Sequence, residues 1–243
     1  MESAIVNRCT NEGHIKGLSV AGGIVAQIKM ESSGGERNCG NIYNCSNYGQ
    51  VNGQMAGGII GYISLRYSGH MMDPCSGKLV VEIKNSINNG AVFGENIGGI
   101  CGYCDLYCCA HNNRYGNFFY FKTIVYMNNC VNNSNNAVCG YYSATHPEGD
   151  YQYMDSDSKL ALSGSTYWLL DIVNNVGKEY AIENKKEYDR EHWYSHSSTS
   201  CLVTNTSDLL DILNRWCQNN NSKEWDRWIY KTIDGYACPV LDK

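Results

Sequence analysis

The chain has 243 residues, a net charge of −5 and only 18% charged side chains, with 25 Gly and 19 Tyr but 3 Pro. Its 19 Lys and Arg are scattered, so no basic stripe is available to neutralise phosphates, and nucleic acid is excluded as an expected partner. No apolar run approaches the roughly 18 residues needed to cross a bilayer, and the opening MESAIVNRCTNEG lacks the basic, apolar and cleavage regions of a signal peptide.

Four segments share a pattern, beginning at Ile5, Ile42, Ile83 and Val125 and anchored on Cys9, Cys45, Ser86 and Cys130. Two residues after the anchor stands Asn11, Asn47, Asn88 or Asn132, and four after it Gly13, Gly49, Gly90 or Ser134. A glycine pair follows in the first three copies, as Gly22-Gly23, Gly57-Gly58 and Gly98-Gly99. The anchors lie 36, 41 and 44 residues apart, so a unit of fixed offsets carries insertions of variable length, which are expected to loop out from one side of a stack.

Within each copy, apolar pieces such as IYNC, QVNG and GGIIGYI are too short and too broken by glycine for helices. Gly and Asn at fixed places predict corners with φ > 0, which these two residues tolerate best. The expected fold class is mainly β, a parallel β-solenoid in which equivalent residues stack into ladders: Ile60 over Cys101 and Cys139, then Gly61, Gly102 and Gly140, then Tyr62, Tyr103 and Tyr141. The fourth copy lacks the glycine pair and is shorter, which predicts a terminal, capping turn of the stack.

The pattern N-C-x-N-x-G-x-V-x-G followed by G-G-I-x-G, carried best by Gln50-Val51-Asn52-Gly53 and Gly57-Gly58-Ile59-Ile60-Gly61, resembles the GLUG motif and covers residues 5–143. That resemblance implies a right-handed parallel β-helix of the kind found in bacterial secreted and surface-attached proteins, adhesin-like and non-catalytic. It also implies secretion or a cell-surface location, and because the first copy begins almost at Met1, the chain is expected to be a piece of a longer exported one.

Beyond residue 143 the repeat fades. Residues 144–243 are expected to hold the end of the stack, with strand-like pieces at KLALSG and STYWLLDIV, and a C-terminal cap that covers its edge. In TSDLLDILNRWCQNNN, Ser207 is a cap residue and Leu209, Leu210, Leu213, Trp216 and Cys217 line one face, predicting a helix near 207–218. The trailing asparagines suit a left-handed end, and WDRWIYKTIDGYACPVLDK reads as two strands about Asp234-Gly235.

Several groups could carry chemistry. Thirteen cysteines suit either disulfides or buried free thiols. Cys101-x2-Cys104 with Cys108, Cys109 and His111 offers enough ligands for zinc, yet Cys101 and Cys104 stand where the preceding copy has Ile60 and Ile63, as packing residues would. His192 and His196 have metal-like spacing without the general-base Glu of a zinc peptidase. Trp193, Trp225, Trp228 and Tyr230 could stack on sugars or pack beneath the helix.

Enzymes of β-helix form that cleave polysaccharides need acidic and basic residues recurring at one offset, and only Asp105, level with Ser64 and Ser143, departs from the neutral series here. The expectation is therefore a binding or scaffold module that takes a protein or glycan ligand on its loops, without cofactor. A carbohydrate-active lyase, hydrolase or tail-spike-like protein is the alternative.

Overall fold

The computed structural model describes residues 4–32, 35–68, 77–109, 121–134, 136, 138–145, 157–162, 167–168, 197–198, 201–202, 209–221, 223–233 and 236–243. These residues are mainly β, with one helix, and every sheet except the last is parallel. Each of the first three repeats gives one strand to each of five sheets in turn. The second does so through Glu36–Tyr43, Ser46–Asn47, Val51–Asn52, Met55–Gly57 and Ile60–Ser68.

The register is the one the motif alignment predicts. Ile60 is level with Cys101 and Cys101 with Cys139, while Tyr62, Tyr103 and Tyr141 form a row with ring centroids 5.5 and 4.7 Å apart. Asp105 stands between Ser64 and Ser143, and Cys104 takes the place of Ile63. The main core lies between the first and fifth sheets, where Ile42, Leu79, Ile83, Val125 and Met127 face Ile60, Ile63, Leu65, Cys104 and Leu106. Burial on this scale is the principal stabilising term for short strands with little cohesion of their own.

The asparagines two residues after the anchors do not turn corners. Asn47, Asn88 and Asn132 are buried, and their amides form a chain along the stack: Asn11 Nδ2 donates to Asn47 Oδ1 at 2.7 Å, Asn47 to Asn88 at 2.8 Å and Asn88 to Asn132 at 3.3 Å. Each of the first three also donates to the carbonyl two residues on, at Gly13, Gly49 and Gly90. The ladder packs against the second glycine of the preceding pair: a Cβ on Gly58 would stand 2.2 Å from Asn88 Cγ, and one on Gly99 2.0 Å from Asn132 Cγ. The glycine pairs are therefore required by close approach, and the expectation that they supply positive φ is corrected.

The left-handed corners are one step earlier, at the residue before each anchor: Arg8 (φ 57°), Asn44 (53°), Asn85 (47°) and Asn129 (54°). Asn tolerates this region better than other residues with a side chain. The anchor then donates to the carbonyl two residues back, from Cys45 Sγ to Tyr43 O at 3.1 Å, Cys130 Sγ to Asn128 O at 3.4 Å and Ser86 Oγ to Lys84 O at 2.9 Å. Ser86 fits the cysteine column because it makes the same bond.

Two expectations about the second half change. The fourth repeat is not terminal, because Asp157–Leu162 and Ser197–Ser198 extend the first sheet past it, and Tyr167–Trp168 and Cys201–Leu202 extend the second. The helix, Leu209–Asn219, and the antiparallel pair Arg227–Ile233 and Tyr236–Asp242 do not close an end; they lie lengthwise against the corner column. The reason is chemical: the inward turn at each corner leaves Asn amides that the C-terminal segment satisfies. Asn221, at φ 69°, supplies the left-handed residue after the helix.

The buried ladder generates a stability prediction. Asn88→Ala removes one partner each from Asn47 Nδ2, Asn132 Oδ1 and both backbone groups of Gly90 at once, and should cost on the order of 3 kcal/mol in urea unfolding. Asn219→Ala, on the exposed end of the helix, should change little.

Candidate functional site

Cys101 and Cys104 are fully buried in the core between the first and fifth sheets. Burial and the neighbouring Cys139 push both thiols well above their ordinary range, with the hydrogen bond to Cys139 the leading cause at Cys101 and desolvation at Cys104. A redox pair needs the opposite, a stabilised thiolate with access to its partner. Cys108 and Cys109 end the strand Cys101–Cys109, but their side chains, like all of His111, His192 and His196, lie outside the described residues. Among the described residues no group of three or more His, Cys, Asp or Glu is placed to hold a metal ion.

Eight cysteines with described side chains are free thiols: Cys9, Cys39, Cys45, Cys101, Cys104, Cys130, Cys139 and Cys217. Burial pushes Cys45 and Cys217 up to about 11 and Cys130 up to about 12. Cys9 is exposed and lies at the open edge of the first repeat.

The aromatic group is divided by the structure. Trp228 is 1% exposed, packs with Ile87, Val131, Leu213 and Leu241, and its Nε1 donates to Asn85 Oδ1 at 2.6 Å. It is core, and the sugar-stacking expectation is withdrawn for it. Trp225 is half-buried, with its ring edge-on to Tyr43 at 5.3 Å and to Trp216 at 5.1 Å, and its indole N–H donates to Asn220 O. Tyr230 is half-buried in the strand pair, and Trp193 lies outside the described residues.

The corner column was missed in the sequence, although its signal was present: Asn precedes the anchor in IYNC, IKNS and MNNC. Asn85 Nδ2 reaches both Asn44 Oδ1 and Asp226 O, Asn44 Nδ2 reaches Glu224 O, and Asn129 Nδ2 reaches Leu213 O. At the first repeat, where Arg8 replaces Asn, the contact becomes ionic: Arg8 Nε lies 2.7 Å from Asp226 Oδ1. Lys243 Nζ adds bonds to Cys9 O and Thr10 Oγ1. The C-terminal segment is thus a strap tied to all four anchored repeats.

The insertions share one exit. Three strands of the fifth sheet end at Ser32, Ser68 and Cys109, and the following strands of the first sheet begin at Glu36, Gly77 and Phe121, so the strand ends that flank the insertions lie at the same corner in successive repeats. On the adjacent outer face, Asp105 is ion-paired to Arg66 at 3.2 Å and has serines as its register neighbours. Compared with known proteins, the chain matches no family model, no curated protein and no solved structure.

Two outcomes test this account. Because the folded thiol pKa values of Cys45, Cys130 and Cys217 lie above the ordinary 9.0, their stabilising contribution is complete below pH 9 and is lost as pH rises toward about 11 to 12. Thermal unfolding followed from pH 8 to 11 should show a falling midpoint, less steep in Cys130→Ser, and native protein at pH 8 should leave these three thiols unlabelled by a thiol reagent. Trp228→Ala should cost about 3–5 kcal/mol in equilibrium unfolding, as expected for a fully buried Trp.

Proposed function

We propose that this chain is a right-handed parallel β-helix of GLUG-like repeats and a non-catalytic, adhesin-like binding module, secreted or displayed at a cell surface. Its partner is a protein or a glycan, engaged by the insertions between the fifth and first sheets. The observation that supports this reading is the register of the strand ends that flank those insertions, which stand level with one another at one corner of successive repeats. Loops held this way on a rigid scaffold form a composite surface whose specificity varies without disturbing the core.

The thiol chemistry agrees with a structural rather than catalytic use of the described cysteines, since burial disfavours the thiolate that nucleophilic or redox work requires. Asp105 is held by Arg66 and flanked by serines rather than by the second carboxylate that glycoside hydrolysis needs.

The test is a glycan and surface-protein binding screen run on the full chain and on a variant in which residues 69–76 and 110–120 are replaced by short linkers. Binding should be present in the first and lost in the second, with the cooperative unfolding transition retained. Equal binding by both would overturn loop recognition.

A further inference from the structure

The fourth repeat places no strand in the third or fourth sheet among the described residues, so Val92–Phe93 and Asn96–Gly98 of the third repeat become edge strands. Beside the shorter fourth repeat lies a notch, a groove of about 410 Å³. That volume falls within the roughly 300–1,000 Å³ usual for small-ligand sites.

Three features of the notch limit what it can hold. Its described lining includes Asn89, Asn133, Ser134 and Asn136 with apolar neighbours, and no ionisable side chain, which favours a neutral ligand over an anion or cation. Phe93 lines it with 48% of its surface exposed, an uncovered ring beside polar amides. Both side-chain atoms of Asn89 are closed off from water without a hydrogen-bond partner, although its backbone N–H is used in the stack. An unpartnered buried amide is destabilising and calls for a ligand, an ion or a rearrangement to explain it.

An added peptide strand is the less suitable occupant. The carbonyl that Val92 turns toward the missing strand already accepts from Asn136 Nδ2 at 3.1 Å, and the edge strand is two residues long. Those features leave little ladder for a peptide to extend. A pyranose ring, by contrast, has an apolar face for Phe93 and hydroxyls that both donate and accept.

We propose that the notch beside Phe93 and Asn89 is a binding site for a neutral pyranose unit of a glycan. The ring lies against Phe93, and its hydroxyls bond the Asn89 amide, which turns outward about its side-chain torsions to meet them. The inference goes beyond the loop reading: it is a separate small-sugar site on the stack, away from the insertions, so mono- or disaccharide binding kept by the shortened variant does not bear on loop recognition.

The test is calorimetric titration of the full chain with glucose, galactose, mannose, N-acetylglucosamine and their β-linked disaccharides. Saturable binding of at least one is expected, about tenfold weaker in Phe93→Ala, the size of one ring contact. Asn89→Leu should abolish it while leaving the thermal midpoint unchanged or raised, because an apolar side chain removes the unpaired amide. The variant with shortened insertions should bind the sugar as the full chain does. No saturable binding, or undiminished binding by both groove variants, overturns the inference. So does capture of extended peptides in place of sugars. Loss of sugar binding only in the shortened variant overturns this site while leaving the loop reading intact.

Discussion

The structure depends on a line of buried amides. Asn47, Asn88 and Asn132 have no access to water, so each must find partners inside the protein: Asn47 and Asn88 find them above, below and two residues along their own chain, and Asn132 bonds with Asn88, Ser134 and Asn136. An amide carries donors and an acceptor together, so identical residues can bond end to end at the spacing of adjacent parallel strands. The second residue of each glycine pair exists to make room for this line. Asn and Gly therefore recur together because one fills the space the other leaves.

A second line of asparagines, at 44, 85 and 129, has a different task. These residues take a backbone conformation that few side chains tolerate, and their amides point to where the C-terminal helix and strand pair are bound. The same residue type thus serves an internal ladder at one offset and a docking rail three residues away. The rail explains why Trp228 is core: its indole N–H fits an acceptor that the corner geometry provides, with Leu213 and Leu241 closing around the ring.

The cysteines are best understood through the one place where the column lacks one. Ser86 donates to the carbonyl two residues back just as Cys45 and Cys130 do, so at this position the sulfur acts as a weak hydrogen-bond donor in an apolar setting. Buried thiols of this kind are held protonated, which suits packing. The Cys101–Cys104 spacing is a consequence of two core positions in one strand, with isoleucine at both in the neighbouring repeat.

The sequence by itself determined the repeat, its parallel register and the members of the interior ladders, because residues at fixed offsets must stack when every unit has the same length between them. It also determined the helix and the strand pair near the end, whose periodicity and turn signals are local. What only the tertiary structure decided was which asparagines bend the chain, where the C-terminal segment lies, and that Trp228 is enclosed while Phe93 is open. These depend on partners more than a hundred residues away, such as Asp226 for Asn85, or on the next repeat, which among the described residues adds no strand beside Val92–Phe93. The local pattern places an asparagine or a ring but does not say what covers it, since an amide or a ring has the same signature in sequence whether it is covered or bare.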